Sequence, residues 1–323
     1  MHKKYSKKLE VLIIGKGSIG LRHANIFRNL GCKVYFFRTN NSNLENDFCY
    51  KEYSDLKRIK KLSFDLIVIC NPSSFHIKYL KKFYHLSKNF LIEKPLCTNN
   101  KDLNLLKKIS RNKNIYSGYM LRHDKRILEI KRRCKNTKKI NFAFFKWHTY
   151  LPDWHKYENY KNSYAAKKKL GGGVIFTCSH EVDMAIFLFG KVKNVICYEK
   201  KKKLNLEVEE SVNIYMNHIN GINSLISIDF SNKNFIREFK VFFKNKIIKY
   251  NFKNTNVYEE TFKKNKIIKV LGKNHIEQFY RVQNIAILKN IQKKIKKYLS
   301  VETEKVLLSC HKSLKLKKEV KVI

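Results

Sequence analysis

The stretch Gly15-Lys16-Gly17-Ser18-Ile19-Gly20 constrains this chain more than any other, because it joins two segments of different periodicity. Before it, VLII at 11–14 is a short apolar run of buried-strand length. After it, Ile19, His23, Ile26, Phe27 and Leu30 recur at helical spacing, and Gly31 supplies a stop. A strand that breaks into glycines and re-emerges as a helix meets one physical requirement. Gly15 permits the tight turn, Gly17 lets the backbone approach a pyrophosphate, and Gly20 lets helix and strand pack closely. The anion then rests on unpaired N–H groups at the helix start, where Ser18 and Ile19 lie. A lone GxGxxG is weak, but with strand, helix and next strand in place it predicts dinucleotide binding.

The next segments extend the pattern. VYFF at 34–37 leads into polar residues 39–43, FDLIVIC at 64–70 stops at Asn71-Pro72, and FLI at 90–92 stops at Glu93-Lys94-Pro95. Ile77, Leu80 and Phe83 mark one helix, and Leu103, Leu106 and Ile109 another, before a strand around Ile115. The alternation predicts an α/β, doubly wound parallel sheet with right-handed crossovers. Ligands of such sheets bind beyond the carboxyl ends of the strands. Asn71, Pro72, Ser73 and His76 fall there, as do Glu93 and Lys94, and all are expected to face the cofactor. For His76 a helix-start role reads equally well. A Glu-Lys pair closing an apolar strand is harder to explain structurally, since buried charges are costly unless paired or used.

The second strand should close in an acid for the ribose 2′-hydroxyl if the cofactor is NAD. Instead it closes in Phe37-Arg38-Thr39, with no carboxylate before Glu45. Arg38 could meet a 2′-phosphate, so NADP is slightly favoured; an Arg38 that merely stacks on adenine leaves NAD open.

From about Ile140 the texture changes. Strand-like segments at 140–147, 192–198, 212–216, 225–230 and 241–252 follow one another with few helices between, an α+β pattern. A helix through Val182, Ala185, Ile186 and Leu188 ends at Gly190, and 275–298 and 302–313 read as helix. At 323 residues the chain is long enough for two domains. We assign 1–120 to a dinucleotide-binding domain and 121–323 to an α+β domain, with the terminal helices able to fold back onto the first.

The 69 Lys+Arg against 26 Asp+Glu give +43, a field that would attract nucleic acid or anionic membrane indiscriminately. Lysines recur along nearly every segment beside Asn, Ile, Tyr and Phe, the usage expected of AT-rich codon drift, and no helix-turn-helix, finger or RRM pattern is present. The runs at 167–169, 200–203 and 293–297 therefore read as solvated faces, and no specific nucleic-acid partner is expected. No apolar run approaches the ~20 residues of a membrane span, and no cleavable signal pattern opens the chain. A cytoplasmic protein without membrane contact is expected. The eight cysteines never form CxxC pairs and read as small buried hydrophobes of a reducing compartment, so no metal site is expected.

GKGSIGLRH at 15–23, NPSSFH at 71–76, EKPL at 93–96, GYMLRHD at 118–124 and LGGGVIFTCSHEVD at 170–183 resemble, in this order and spacing, the glucose-fructose oxidoreductase / inositol dehydrogenase (Gfo/Idh/MocA) family. The resemblance covers Val11 to about Gly190. It implies a Rossmann domain followed by an α+β domain on a large, mostly antiparallel sheet that often makes subunit contacts, hence a homodimer or tetramer. The implied reaction is hydride transfer between NAD(P) and a hydroxyl-bearing carbon of a sugar, cyclitol or related small molecule. Lys94 would sit beside nicotinamide and substrate hydroxyl, with a cis Lys94–Pro95 peptide. His180 would be the acid/base that contacts substrate. Tyr119 and Arg122 would lie at the nicotinamide and substrate end, and Asp183 would orient His180 or be a structural carboxylate.

There is one departure. The family commonly has an aspartate a few residues before the histidine, where this chain reads Ile175-Phe176-Thr177-Cys178-Ser179. Thr177 can hydrogen-bond a substrate hydroxyl but cannot carry charge, leaving proton transfer to Lys94 and His180. A catalytically impaired, cofactor-binding relative is the alternative. Trp147-His148, Tyr150-Leu151-Pro152, Tyr160 and Ser163 through Ala166 resemble members of bacterial surface-sugar and flagellar-glycan synthesis, implying a nucleotide-linked or acylated amino sugar. Trp147 and Trp154 suit either stacking on a sugar or ordinary packing.

Overall fold

In chain order the secondary structure runs β1 (Glu10–Ile14), α1 (Ser18–Asn29), β2 (Lys33–Phe37), β3 (Lys51–Tyr53), α2 (Leu56–Ile59), β4 (Leu66–Ile69), α3 (His76–Lys82), β5 (Asn89–Ile92), α4 (Asn100–Ile109) and β6 (Asn114–Ser117). Then come α5 (Lys125–Arg133), β7 (Ile140–Tyr150), α6 (Val174–Thr177), α7 (Ser179–Phe189), β8 (Val192–Glu199), β9 (Ser211–His218), β10 (Asn223–Asp229), β11 (Ser231–Phe243) and β12 (Lys246–Asn251). The chain finishes with β13 (Val257–Thr261), β14 (Asn265–Ile268), α8 (Ile276–Gln292), α9 (Glu302–Leu316) and β15 (Val320–Lys321). This computed structural model describes residues 8–38, 50–135, 139–154, 158–200, 202–253, 256–261, 263–268 and 276–322. The polar segment 39–43, Glu45, Cys49, Lys201 and His275 lie outside the described residues.

The chain divides into two compact units, one of Met1–Cys97, Lys101–Gly118 and His275–Leu299, the other of Thr98–Asn100, Tyr119–Asn274 and Ser300–Ile323. In the first, the described strands form a parallel sheet ordered β3-β2-β1-β4-β5-β6. Every residue of β4 and β5 is buried, as strands covered on both faces require. Val11 and Ile13 of β1 pack with Ala24 and Phe27 of α1, and with Ile287 and Leu288 of α8. The strand order reverses at β1, which places the glycine turn at the topological switch point. β3 and α2 were not anticipated: Lys51-Glu52-Tyr53 is too short and polar to announce a strand, and it forms only as an edge on β2.

In the second unit the described strands form a sheet ordered β14-β13-β12-β11-β7-β10-β9-β8-β15, antiparallel except between β7 and β10. Alternating burial along β9 and the later half of β11 turns one face inward. α7 packs against β7, β10 and α9, and α9 lies on β8. The segment 241–252, expected as one strand, is a hairpin turning at Lys244-Asn245, with Phe242 opposite Ile247 and Glu238 opposite Asn251. The polar Lys-Asn-Lys break within the apolar run is what divides it. The helix expected over 275–298 stops at Gln292. Lys294 takes φ +53°, and the lysines around it offer no apolar face to bury.

No single helix among the described residues is long and apolar enough to cross a membrane. No cluster of His, Cys, Asp or Glu among them could hold a metal ion.

Candidate functional site

Gly15 ends β1 at φ +96°, a conformation that L side chains avoid, and its N–H donates to the Phe37 carbonyl at 3.2 Å. A Cβ on Gly20 would stand 2.0 Å from the Gly15 carbonyl oxygen, so α1 can approach the turn only without a side chain there. A Cβ on Gly17 would meet nothing within 4 Å. The first backbone bond of α1 runs from Leu21 N to Gly17 O at 3.0 Å. The N–H groups of Ser18, Ile19 and Gly20 therefore have no partner one turn back, and no acidic residue occupies the first turn. Open approach, unpaired donors and the positive end of the helix dipole fit a pyrophosphate.

Asn71 follows β4, and neither its amide nitrogen nor its amide oxygen, both buried, has a hydrogen-bond partner. Each such orphan costs about 1–3 kcal/mol, which a polar ligand along the strand ends would relieve. Ser73 is buried beside it, in a short helical turn that Pro72 opens. His76 spends both ring nitrogens on the backbone, Nε2 2.8 Å from Asn71 O and Nδ1 2.9 Å from Pro95 O. Burial lowers its pKa, although those carbonyls favour the cation. A neutral ring donates one N–H at a time, and in either tautomer it ties the end of β4 to the segment after β5.

That segment carries Lys94, and three residues hold it. Asn284 of α8 donates from Nδ2 to His23 Nδ1 at 3.0 Å, which puts the imidazole proton on Nε2, 3.0 Å from Glu93 Oε1. The other oxygen of Glu93 accepts from Lys94 N at 3.2 Å. A Cβ on Gly118 would lie 2.8 Å from Glu93 Oε1, so the following strand end must be bare for the carboxylate to fit. Lys94 is half-buried, and its peptide bond to Pro95 is cis. The His23 and Asn284 partners were invisible in sequence, where nothing links an N-terminal histidine to a C-terminal helix. Arg38 closes β2, its N–H donating to Tyr53 O at 2.9 Å. Beside it lies a carboxylate the sequence reading missed, Glu52 of β3.

In the second unit, α6 and α7 break at Cys178, and this short helix followed by a long one presents Thr177, His180 and Asp183, all buried. The turn before α6 depends on glycine. Gly173 has φ +102°, and a Cβ there would fall 2.2 Å from Glu209 Oε1. Glu209 in turn caps α6: its carbonyl accepts from Val174 N at 3.0 Å and its Oε1 from Ile175 N at 3.1 Å. The Tyr119 ring stands edge-on to His180, centroids 5.9 Å apart. Its hydroxyl donates to Glu304 Oε1 at 3.0 Å, and burial, then the Glu304 charge, raises its pKa well above the usual phenol value.

Arg122 and Asp183 meet each other. Arg122 Nε donates to Oδ2 at 2.9 Å and Nη2 to Oδ1 at 2.5 Å, while Thr303 Oγ1 donates to Oδ1 at 2.8 Å. Burial raises the Asp183 pKa and Arg122 opposes it. Both oxygens of Asp183 are thus occupied by partners other than His180. Trp147 and Trp154 stack on each other at 6.1 Å, and the Arg237 guanidinium lies 3.9 Å over Trp147 while pairing with Glu181 at 2.8 Å. This is ring and cation packing within the unit.

Glu209 yields a test of stability. Burial pushes its carboxyl up to about 7 from 4.5. His311 Nε2 lies 3.9 Å away but gives no compensating cation, because burial pushes that imidazole down to about 4. The folded state therefore holds a proton that the unfolded state releases between about 4.5 and 7. The contribution of Glu209 to stability falls as pH rises through that window, by up to about 3 kcal/mol. Glu209→Gln keeps an acceptor for Ile175 N and should remove that contribution, so the stability difference between the two proteins should change across the window. Chemical denaturation of both proteins at pH values spanning the window checks it; parallel profiles would refute the assignment.

Against models of known families, residues 9–119 match "Oxidoreductase family, NAD-binding Rossmann fold" and residues 142–248 match the "GFO/IDH/MocA C-terminal domain". Among solved structures the chain is similar to levoglucosan dehydrogenase in complex with NADH and L-sorbose, with TM-score 0.83 and 15% identity, covering 98% of this chain and 99% of that one. It is similar to the aldose-aldose oxidoreductase of Caulobacter crescentus complexed with glycerol, with TM-score 0.83, 13% identity and 98% and 100% coverage. It is also similar to myo-inositol 2-dehydrogenase of Lactobacillus plantarum, with TM-score 0.79, 17% identity and 98% and 100% coverage. At these identities the likeness is one of fold.

Proposed function

The chain belongs to the GFO/IDH/MocA family of oxidoreductases, with its NAD-binding Rossmann fold, and from that premise we propose that it transfers hydride between NAD(P) and a hydroxyl-bearing carbon of a sugar or sugar derivative. One observation carries the reading: a single edge of the parallel sheet brings together the anion cradle of α1, the orphaned amide of Asn71 and the half-buried Lys94. The sugars and cyclitol in the names of the similar structures support the substrate class.

Gly15, Gly17, Ser18, Ile19 and Gly20 hold the pyrophosphate; Asn71, Pro72 and Ser73 line its path; and Arg38 serves the adenosine end, favouring NADP. The bound nicotinamide supplies or takes up the hydride. Lys94 stabilises the negative charge that develops on the substrate oxygen and holds its proton, with Glu93 and His76 fixing the segment it stands on. His180 is the second proton carrier. Thr177 donates or accepts a hydrogen bond at a substrate hydroxyl, and Tyr119 and Arg122 serve the substrate end. Asp183 acts by keeping Arg122 in place.

The narrower reading, a nucleotide-linked or acylated amino sugar for surface glycans, is supported by the sequence pattern from Trp147 to Ala166. We take the protein to be a cytoplasmic homo-oligomer. Threonine at position 177 favours a second reading, a relative that binds cofactor but turns over poorly. Incubation with NAD or NADP and a panel of free, nucleotide-linked and acylated amino sugars, followed by nicotinamide absorbance, separates the two. Turnover supports the enzyme, and tight dinucleotide binding without turnover on any sugar supports the impaired relative. No dinucleotide binding at all would sink both.

A further inference from the structure

We infer that Glu209 is a positioning residue for the sugar chemistry: by holding the start of α6 it sets where Thr177 and His180 stand. The inference deepens the proposed function and rests on it, since it takes from there the roles of Thr177 and His180 toward the substrate.

α6 is a single turn, Val174–Thr177. Starting a helix fixes several dihedrals for one hydrogen bond, so a turn this short takes its shape from what surrounds it. Thr177 N donates to Gly173 O and Cys178 N to Val174 O, both at 2.9 Å. The first N–H groups of the turn need partners outside it, and the residue in the capping position, Gly173, has no side chain to offer. Glu209 supplies both partners. Its carbonyl accepts from Val174 N at 3.0 Å and its Oε1 from Ile175 N at 3.1 Å. Thr177 follows two residues later, and His180 lies in the first turn of α7. Phe176 also packs on His311 of α9, ring centroids 4.3 Å apart, but a ring contact lets the turn slide where two directional hydrogen bonds from one residue do not.

The anchor is itself fixed. Glu209 stands two residues ahead of β9, an inner strand of the sheet. Between them, Glu210 O accepts from Phe230 N at 2.8 Å, and the Glu210 carboxylate accepts from Lys203 N, Leu204 N and Leu206 N at 2.7, 2.8 and 2.7 Å. Glu207 Oε1 takes Lys168 N at 2.6 Å, on the far side of the three glycines. The acidic run 207–210 thus grips the glycine segment at both ends and carries the position of the sheet to α6. The Glu209 side chain is 10% exposed, and it fills the space that a Cβ on Gly173 would need. Glycines 171–173 bear no group that could act on a substrate; at Gly173 the missing side chain is what admits the clamp. The contact uses the reach of the Glu209 side chain rather than its charge, because an amide oxygen at the same distance accepts equally from Ile175 N.

The test compares Glu209→Ala, Glu209→Asp and Glu209→Gln with the unaltered protein on the sugar it turns over fastest, with kcat expressed per dinucleotide site counted by NADH fluorescence titration. Alanine, and aspartate one methylene too short, should lower kcat about 10- to 100-fold, the cost of displacing reacting groups by about 1 Å. Glutamine should retain most of the turnover that alanine loses. The NADH dissociation constant should stay within about 3-fold throughout, since the anion cradle belongs to α1. A merely structural Glu209 would reduce the folded fraction and leave kcat per site unchanged, so that result in the alanine and aspartate variants overturns the inference. Equal losses in the glutamine and alanine variants also overturn it, making the charge or the proton of Glu209 the active property. Loss of the fold in both shortened variants, read by circular dichroism, would make Glu209 a folding residue and overturn it too. Dinucleotide binding without turnover of any sugar by the unaltered protein overturns the oxidoreductase reading and this inference together.

Discussion

Lys94→Ala is expected to lower kcat on any sugar the protein oxidises or reduces by about 10²- to 10⁴-fold, the usual contribution of a positioned acid or base. Dissociation constants for NAD(P) should move by less than about 3-fold, because the anion cradle is built from backbone N–H groups of α1 that lack a partner one turn back. The neighbouring scaffold should persist. Glu93 is held through His23 and through the backbone N–H of residue 94, neither of which the substitution removes. Added alkylamines should restore part of the lost rate if the missing group is an ammonium near the reacting oxygen. Stopped-flow single-turnover rates with enzyme saturated in cofactor measure the chemical step directly. A rate within 3-fold of the unaltered protein would remove Lys94 from the mechanism.

Gly20→Ala should do the opposite, damaging binding through the fold. Its Cβ would meet the Gly15 carbonyl oxygen at 2.0 Å, and the obstacle is backbone rather than a flexible side-chain end. α1 must then lift from the turn, at about 1–3 kcal/mol for overpacking of this kind. The donors of Ser18 and Ile19 move with it, and dinucleotide affinity should fall on the order of 100-fold. Gly17→Ala is the informative contrast. Nothing lies within 4 Å of its Cβ, so thermal stability should hold while the new methyl obstructs the ligand. Melting curves and NADH titration on the two variants distinguish the effects; equal stability of both would show that the turn yields more easily than this geometry implies.

What the sequence revealed and what it hid follow from the range of the forces involved. β1, the glycine turn and α1 were readable because periodicity and φ requirements are local, and the strand-end positions of Asn71 and Lys94 were readable because apolar strands ended just before them. Glu52 was not, since a polar three-residue strand exists only by pairing with β2. Nor was the clamp on Lys94, whose members His23 and Asn284 are 261 positions apart. From the sequence Asp183 read either as a companion of His180 or as a structural carboxylate; its oxygens take Arg122 and Thr303, partners that only tertiary packing could supply. The hairpin within 241–252 was hidden because its polar turn is two residues long, too brief to outweigh the apolar run around it.

The return of α8 to the first unit orders events in time. Ribosomes deliver β1 to β6 early, yet the amide that assigns the proton on His23 belongs to Asn284 and emerges only near the end of translation. Until then the lysine-bearing segment stands on a histidine free to choose either tautomer, so a nascent chain should fix the place of Lys94 late, and abruptly, when α8 docks.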